Sequence, residues 1–401
     1  MKLVEINYGF RGSTGNIMLN IAKLVREQGG EAYTFSSVNN DIKPELHHFF
    51  GSRAENLVHR AIGVTTGISG TGSKHGTKKL IEEISKINPD ILHLHNLHGW
   101  YINLPMLFDY IRQKNIKTVW TLHDCWGFTA QCSHFTLEKC EKWKTGCYSC
   151  PRCNIYPYTF VDRTKKMWRL KKKWFSDIEN LTIITPSEWL ANLVKQSFLK
   201  EYPVKVVNNG IDLSIFRPVE NTFREKYKIP NNKYVILGVA SGWGYRKGLD
   251  IFIELAKMMD VDRYQIVLVG TTDAIDKQLP SNIISIHKTN NQKELAEIYT
   301  AADVFANPTR EEVLGLVNIE ANACGVPVVM FDTCGSPECI DEKSGVVTPF
   351  DDIVVMKKMI EETCEKRLFL RENCIENARR FDKMILFNDI IHIYEDILTQ
   401  K

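Results

Sequence analysis

Short runs of aliphatic and β-branched residues recur along this chain, separated by stretches whose apolar residues return at helical spacing, and the alternation happens twice. The first run, KLVEINY from Lys2, is followed by a turn and by Ile17, Ile21, Leu24 and Val25 on one helical face. AYTFS from Ala32, DILHLH from Asp90, KTVWTLH from Lys117 and LTIITPS from Leu181 continue this series. YPVKVVNNGIDLSIFRP, from Tyr202 to Pro218, is rich in turn residues and reads as a linker. The second series runs YVILGVAS, a helix after Gly248, QIVLVG, NIISIH, a helix from Gln292, DVFANP, a helix after Gly315, and PVVMFD. Strands alternating with helices build parallel sheets under helical layers, so the chain reads as α/β with two tandem Rossmann-like domains. Its 401 residues give each domain room for a core. The expected domains are residues 1–205, with a Cys-rich insertion at about 125–155, and residues 206–382. A last helix over 383–401, containing MILFNDIIHIYEDIL, is expected to pack back towards the N-terminal domain.

Composition narrows the partners. A formal charge of +3 gives no argument for nucleic acid. The opening MKLVEINYGF is not a signal peptide, and no run of ~18 apolar residues is present to span a bilayer. Six of the 11 cysteines crowd between Cys125 and Cys153. Without a secretory signal, reduced thiols or a metal site are expected there rather than disulfides, and the protein reads as cytoplasmic.

Three glycine-bearing loops follow strands, where open α/β sheets bind ligands. The first, Gly9-Phe10-Arg11-Gly12-Ser13-Thr14-Gly15, opens a helix whose free N–H groups suit phosphate, although its spacing is not G-x-G-x-x-G. The second, Ser241 to Gly248, sets Arg246 and Lys247 before a helix, where a cation can stabilise a leaving phosphate; a solvated basic turn is the competing reading. The third holds Glu312 and Glu320 on either side of Gly315. Carboxylates eight positions apart on a helix lie roughly 12 Å apart, too far to share one bond-breaking event. They fit the two ends of an extended ligand whose phosphates meet the N–H groups of Leu316 and Val317.

Taken together, AADVFANPTREEVLGLVNIEANACGVPVV and the following Gly335-Ser336-Pro337-Glu338 resemble the nucleotide-sugar site of the retaining family 4 glycosyltransferases of the GT-B fold. The resemblance spans almost the whole chain and is specific in the C-terminal half. It implies two parallel-sheet domains facing an inter-domain cleft, with Glu312 on hydroxyls of the donor sugar and Glu320 on those of the ribose. Lys247 would hold the diphosphate together with the amides after Gly315. Gly12 and Ser13 stand at the family's usual Gly-Gly position, with Gly15 completing that loop, and VWTLHD puts His123 at the family's active-site histidine. HLHNLHGWYIN and TLHDCWGF are similar to a subgroup making bacterial surface polysaccharides. Where the family usually has a diphosphate-binding Arg this chain has Ser241, leaving Arg246 as a substitute or Lys247 alone. The implied activity is a metal-independent, retaining hexosyl transfer from a nucleoside-diphosphate sugar to a saccharide or lipid-linked saccharide acceptor. A nucleotide-sugar epimerase of the same fold, or a binding module without turnover, are the alternatives.

Other constellations carry competing readings. His93, His95 and His98 suit a metal-dependent hydrolase, although strand spacing also places His93 and His95 on one face as core residues. Asp260-Val261-Asp262 looks like a metal-binding DxD but falls in a polar turn. Cys132, Cys140, Cys147 and Cys150, with Cys153 as a competing ligand, have the spacing of a structural zinc site stapling a loop too polar to pack by itself. Arg163 to Lys173 carries seven cations interleaved with Met167, Trp168 and Leu170 and followed by Trp174 and Phe175. It reads either as a helix resting on anionic lipid, making the protein peripheral to the membrane, or as a solvated basic face over a buried aromatic stripe.

Overall fold

The computed structural model describes residues 1–37 and 46–399. The chain forms two compact units, one of Met1–Val207 with Phe387–Lys401 and one of Asn208–Leu386. The first break thus falls two residues later than the sequence reading places it, and the last helix is divided between the units.

The first unit holds seven parallel strands: β1 (Lys2–Asn7), β2 (Glu31–Ser37), β3 (His47–Phe50), β4 (Ile91–Leu94), β5 (Thr118–Thr121), β6 (Leu181–Thr185) and β7 (Val204–Val206), in the order β3-β2-β1-β4-β5-β6-β7. The second holds six: β8 (Tyr234–Val239), β9 (Tyr264–Val269), β10 (Ile283–Ile286), β11 (Val304–Asn307), β12 (Val328–Phe331) and β13 (Gly345–Thr348), in the order β10-β9-β8-β11-β12-β13. Every recorded pairing is parallel, from Leu3 opposite Ile91 at the centre of one sheet to Val304 opposite Ile236 at the centre of the other. Ile17, Ile21, Leu24 and Val25 on the helix Gly12–Glu27 are all buried, as their spacing requires. At roughly 1.5–3 kcal/mol per buried aliphatic side chain, such faces hold the helices on the sheets. In the second unit, Phe252 and Leu255 pack with Ile236, Leu268, Val329 and Phe331 in the same way.

Three strands were not legible. β3 reads HHFF and lies at an edge; β7 falls inside the stretch taken as linker; β13 is four residues long. The C-terminal helix, Lys383–Thr399, anchors the first unit from a distance in sequence. Tyr394 is fully buried, its hydroxyl 2.5 Å from His93 Nδ1. Lys117 caps that helix's end by donating to the carbonyls of Ile397 (2.7 Å) and Leu398 (3.2 Å).

The Cys-rich segment contains only two single-turn helices, Cys125–Gly127 and Lys142–Lys144. It is not too polar to pack. Phe128, Phe135 and Trp143 are buried, with ring centroids 5.1 and 5.2 Å from Trp143. The basic segment is a helix, Thr164–Phe175, with Met167, Trp168, Trp174 and Phe175 buried. Six of its seven cations are exposed, whereas Lys171 is buried. The apolar stripe is therefore spent on the protein's own core.

Candidate active site

Strand order reverses between β8 and β11, so the loops after these two neighbours open side by side at the strands' carboxyl ends. This placement brings together residues 65 positions apart. The turn Tyr245–Lys247 ends at Gly248, whose φ of +72° and close approach to Pro308 exclude a side chain: an added Cβ would lie 2.4 Å from the Pro308 carbonyl oxygen. The Arg310 N–H donates to the Arg246 carbonyl (2.9 Å), and the Arg246 guanidinium donates to the Glu311 carbonyl (3.1 Å). With the loops locked, the Lys247 ammonium forms a salt bridge with the Glu312 carboxylate, both side chains remaining partly open to solvent.

Arg310 is the clasp of this arrangement, and the sequence reading missed it. Only 2% exposed, it reaches both Asp250 oxygens (2.8 and 2.7 Å), Asp351 (2.9 Å from Nε) and the Tyr245 carbonyl (2.6 Å), and lies 3.9 Å from the Tyr245 ring centroid. The signal was its position between a strand end and two glutamates, but nothing local identified its partners.

The helix after this loop spans Leu316–Ala323, with Gly315 in the left-handed region at φ +95°. Leu316 and Val317 are its first residues, so their N–H groups have no acceptor within the helix and carry its positive end. Nearby, the buried Ser336 hydroxyl has no hydrogen-bond partner and lies 3.6 Å from where a Gly315 Cβ would stand. Glu320 sits in the second turn of the helix. Its carboxylate accepts from the Tyr299 hydroxyl (3.0 Å), and burial pushes its pKa up to about 7. Ser241 is exposed in its loop, and Arg246 is engaged with the loop backbone. Asp260 and Asp262 form an exposed turn, the Asp262 N–H donating to Asp260 (2.9 Å).

In the first unit, strand order reverses between β1 and β4. Asn7, at the end of β1, donates to Thr14 Oγ1 (3.2 Å) and accepts from the Asn96 N–H (3.2 Å), tying the two loops. Gly12 (φ +76°) and Ser13 are exposed at the helix start; at Gly15 a Cβ would meet the Phe10 carbonyl carbon at 2.3 Å, so only glycine fits. His123, in the loop after β5, has its Nε2 3.1 Å from His95 Nδ1, and His95 Nε2 lies 3.1 Å from Glu5 Oε1. Burial pushes His123 down to about 4, against the opposing charge of Asp124, and lifts the Glu5 carboxyl well above the usual carboxylate range. His123 Nδ1 has no protein partner. Its Nε2 is engaged by His95, so Glu5 and His95 bear on the tautomer of His123.

The HxH segment, read as a metal-dependent hydrolase site, has its ring nitrogens engaged within the protein. Glu5, His93 and His95 are clustered and buried, but every ring nitrogen of the two histidines already faces a protein partner. His93 faces Tyr394 at 2.5 Å and Thr121 at 2.8 Å, and His95 faces His123 and Glu5. His98 is separate: its Nε2 is 3.2 Å from Asp124 and its Nδ1 is 3.1 Å from the Tyr156 hydroxyl. Beside it, Tyr8, Arg53, Arg60, Trp100, Tyr156 and Tyr158 line a cavity of about 390 Å³. Trp100 is held at φ +59°, and Arg60 donates to the Tyr158 hydroxyl (2.6 Å).

These two sites coincide with two family matches. Residues 15–215 match Glycosyltransferase Family 4, and residues 219–381 match Glycosyl transferases group 1. The chain is a family 4 glycosyltransferase. Among its relatives, a protein of Escherichia coli K12 named as the colanic acid biosynthesis glycosyl transferase WcaC is 24% identical over 325 residues, 77% of each chain. The N,N'-diacetylbacillosaminyl-diphospho-undecaprenol alpha-1,3-N-acetylgalactosaminyltransferase of Campylobacter jejuni is 25% identical over 232 residues, covering 52% of this chain and 58% of that one. In structure, this glycosyltransferase is similar to Anabaena HepE solved with UDP, at a TM-score of 0.70 and 16% identity over 99% and 100% of the two chains. It is likewise similar to WaaG, a lipopolysaccharide biosynthesis glycosyltransferase, at a TM-score of 0.64 and 16% identity over the whole of both chains.

Proposed function

We propose that this glycosyltransferase moves a hexosyl unit from a nucleoside-diphosphate sugar to a lipid-linked saccharide in bacterial polysaccharide biosynthesis, with retention and without a catalytic metal. The observation that carries the reading is the Lys247–Glu312 pair, held in adjacent loops at the strand-order reversal beside the helix start at Gly315. A diphosphate seated on the amides of Leu316 and Val317 meets the positive end of the helix and the Lys247 ammonium. Glu312 then engages the sugar hydroxyls and Glu320 those of the ribose.

In the transfer, the bond between the anomeric carbon and the diphosphate oxygen breaks, its electron pair leaving with the diphosphate. The acceptor oxygen bonds to the same face of an oxocarbenium-like sugar, and its proton passes to the leaving phosphate oxygen. Lys247 and the helix amides stabilise the charge that develops there, the role a metal would otherwise fill. His123 offers Nδ1 to a substrate hydroxyl.

For the acceptor, the cavity lined by Tyr8, Trp100, Tyr156 and Tyr158 offers aromatic faces to sugar rings, while Arg53 and Arg60 suit a phosphate. The Campylobacter relative's name specifies a diphospho-undecaprenol acceptor, and the HepE complexes hold UDP. Among the described residues no helix is long and apolar enough to cross a membrane. With the aromatic stripe of Thr164–Phe175 buried, peripheral contact of this cytoplasmic enzyme with anionic lipid rests on exposed cations alone.

The matched families and the relatives named above are transferases, which takes support from the epimerase reading. The deciding experiment incubates the enzyme with a panel of nucleotide sugars, with and without lipid-linked saccharide, in the presence of a chelator. Acceptor-dependent nucleotide release with the donor's anomeric configuration kept supports the proposal. An isomerised sugar nucleotide, an inverted product or strict metal dependence overturns it, as does a fully active Glu312→Ala enzyme.

A further inference from the structure

The Cys-rich segment of the first unit plays no part in the transfer chemistry, yet five of its thiols stand between Cys132 and Cys153, and all are free. Cys132 and Cys150, 18 residues apart in sequence, bring their sulfurs to 4.0 Å. In a tetrathiolate zinc site with Zn–S near 2.3 Å, sulfurs stand about 3.8 Å apart, so this pair is spaced as one edge of the tetrahedron. Cys147 lies close enough to both Cys140 and Cys150 for their charges to act on its thiol. Among the described residues no third thiol lies within 4.8 Å of both Cys132 and Cys150, so closure requires side-chain rotation of Cys140 and Cys147.

A second observation, on a different element, asks for negative charge at the same place. Lys171 is 0% exposed, on the helix Thr164–Phe175. Its ammonium donates to the Trp126 carbonyl and lies 3.5 Å from the Trp126 ring centroid; among the described residues it forms no ion pair with a carboxylate. A buried ammonium without a counter-charge is costly. Burial pushes the Lys171 pKa well below its usual value, opposed by Asp124, already engaged by His98, and by Cys147 and Cys132 beyond it. Four thiolates around a divalent ion carry a net charge of about −2, a counter-charge that would hold the buried Lys171 amine in its ammonium form.

We propose that Cys132, Cys140, Cys147 and Cys150 bind one structural zinc ion, with Lys171 neutralising part of the cluster's charge. Binding releases the thiol protons to solvent and changes no oxidation state. The ion ties the ends of an irregular segment that also carries Asp124, Trp126 and Tyr156, the residues framing His98. Cys153, whose thiol also interacts with Cys150, is the competing ligand that this assignment leaves out.

The test is metal content and coordination of the full chain, and it is independent of whether sugar transfer is found. Protein purified or refolded with zinc should hold about one equivalent, X-ray absorption should give four sulfurs at about 2.3 Å, and the cobalt-substituted protein should show a tetrathiolate spectrum. Cys153→Ser should keep the metal and Cys147→Ser should lose it. Zinc-free protein after both treatments, a Cys132–Cys150 disulfide under reducing purification, nitrogen or oxygen in the first shell, or loss of metal on Cys153→Ser would each overturn the assignment. The wild-type spectrum decides even if the Cys147 variant fails to fold.

Discussion

Replacing Arg310 by Met keeps a long apolar stem and removes only the guanidinium that clasps the two donor-side loops. Five contacts disappear: two to Asp250 at 2.8 and 2.7 Å, two to Asp351 at 2.9 and 2.7 Å, and one to the Tyr245 carbonyl at 2.6 Å. Breaking a fully buried ion pair costs about 3–5 kcal/mol, chiefly because the abandoned charge stays buried. Here the abandoned carboxylates are 45% and 37% exposed, so water takes over much of their solvation. We expect a loss nearer about 2–3 kcal/mol. For a unit of this size that is a fall in Tm of roughly 5–10 °C. The effect on catalysis should be larger. The loop that Arg310 anchors carries Glu312 two residues on, and a misplacement of about 1 Å costs on the order of 10²-fold. The assay is kcat/KM for nucleotide release, at a temperature where circular dichroism shows the variant folded. Arg310→Lys should recover little, because an ammonium cannot fork to two carboxylates and a carbonyl at once. A folded Arg310→Met enzyme with wild-type kcat/KM would refute the idea that this clasp sets the Lys247–Glu312 register.

Gly248→Ala forces a side chain into a left-handed backbone and 2.4 Å from the Pro308 carbonyl oxygen, so it should lower Tm and reduce activity by at least about tenfold; thermal melts with rate measurements check both. Glu320, with its pKa pushed up to about 7, is largely protonated at pH 6, so nucleotide binding that needs its carboxylate should tighten from pH 6 to 8. Calorimetry should find that pH dependence absent in Glu320→Gln. The same raised pKa means the folded state holds a proton the unfolded state has lost, so this group's contribution to stability falls as pH rises from 4.5 to about 7, and the Gln variant should flatten the slope. Glu5→Gln leaves the shape of the first unit but changes what faces His95, so the pH–rate profile and the ¹⁵N shifts of His123 should move even where Tm holds. An unchanged profile would reduce Glu5 to a packing residue.

The parallel sheets were legible because their central strands are almost wholly apolar and separated by amphipathic helices. β3 and β7 were not: HHFF and VKV are short, polar-bearing edge strands that owe their form to a neighbour. At the donor site, Glu312, Gly315 and Glu320 could be read together because one strand–loop–helix unit carries all three. Arg310 and Glu5 escaped because their meaning lies in partners 60 and 90 positions away, and no local pattern encodes such a meeting. The basic helix was ambiguous for a related reason. Seven cations announce a charged face, but whether the aromatics between them meet lipid or protein depends on what packs below, and one of the seven proved to be buried.

Tyr394 closes the core of the first unit, yet it is synthesised after every residue of the second. During translation, residues 1–207 must wait with the Tyr394 side of His93 uncovered while residues 208–386 emerge and can fold as a continuous stretch. The N-terminal unit is therefore begun first and finished last. A ribosome stalled within the second unit holds an unfinished first unit, and a nascent chain caught there displays apolar surface to chaperones and proteases.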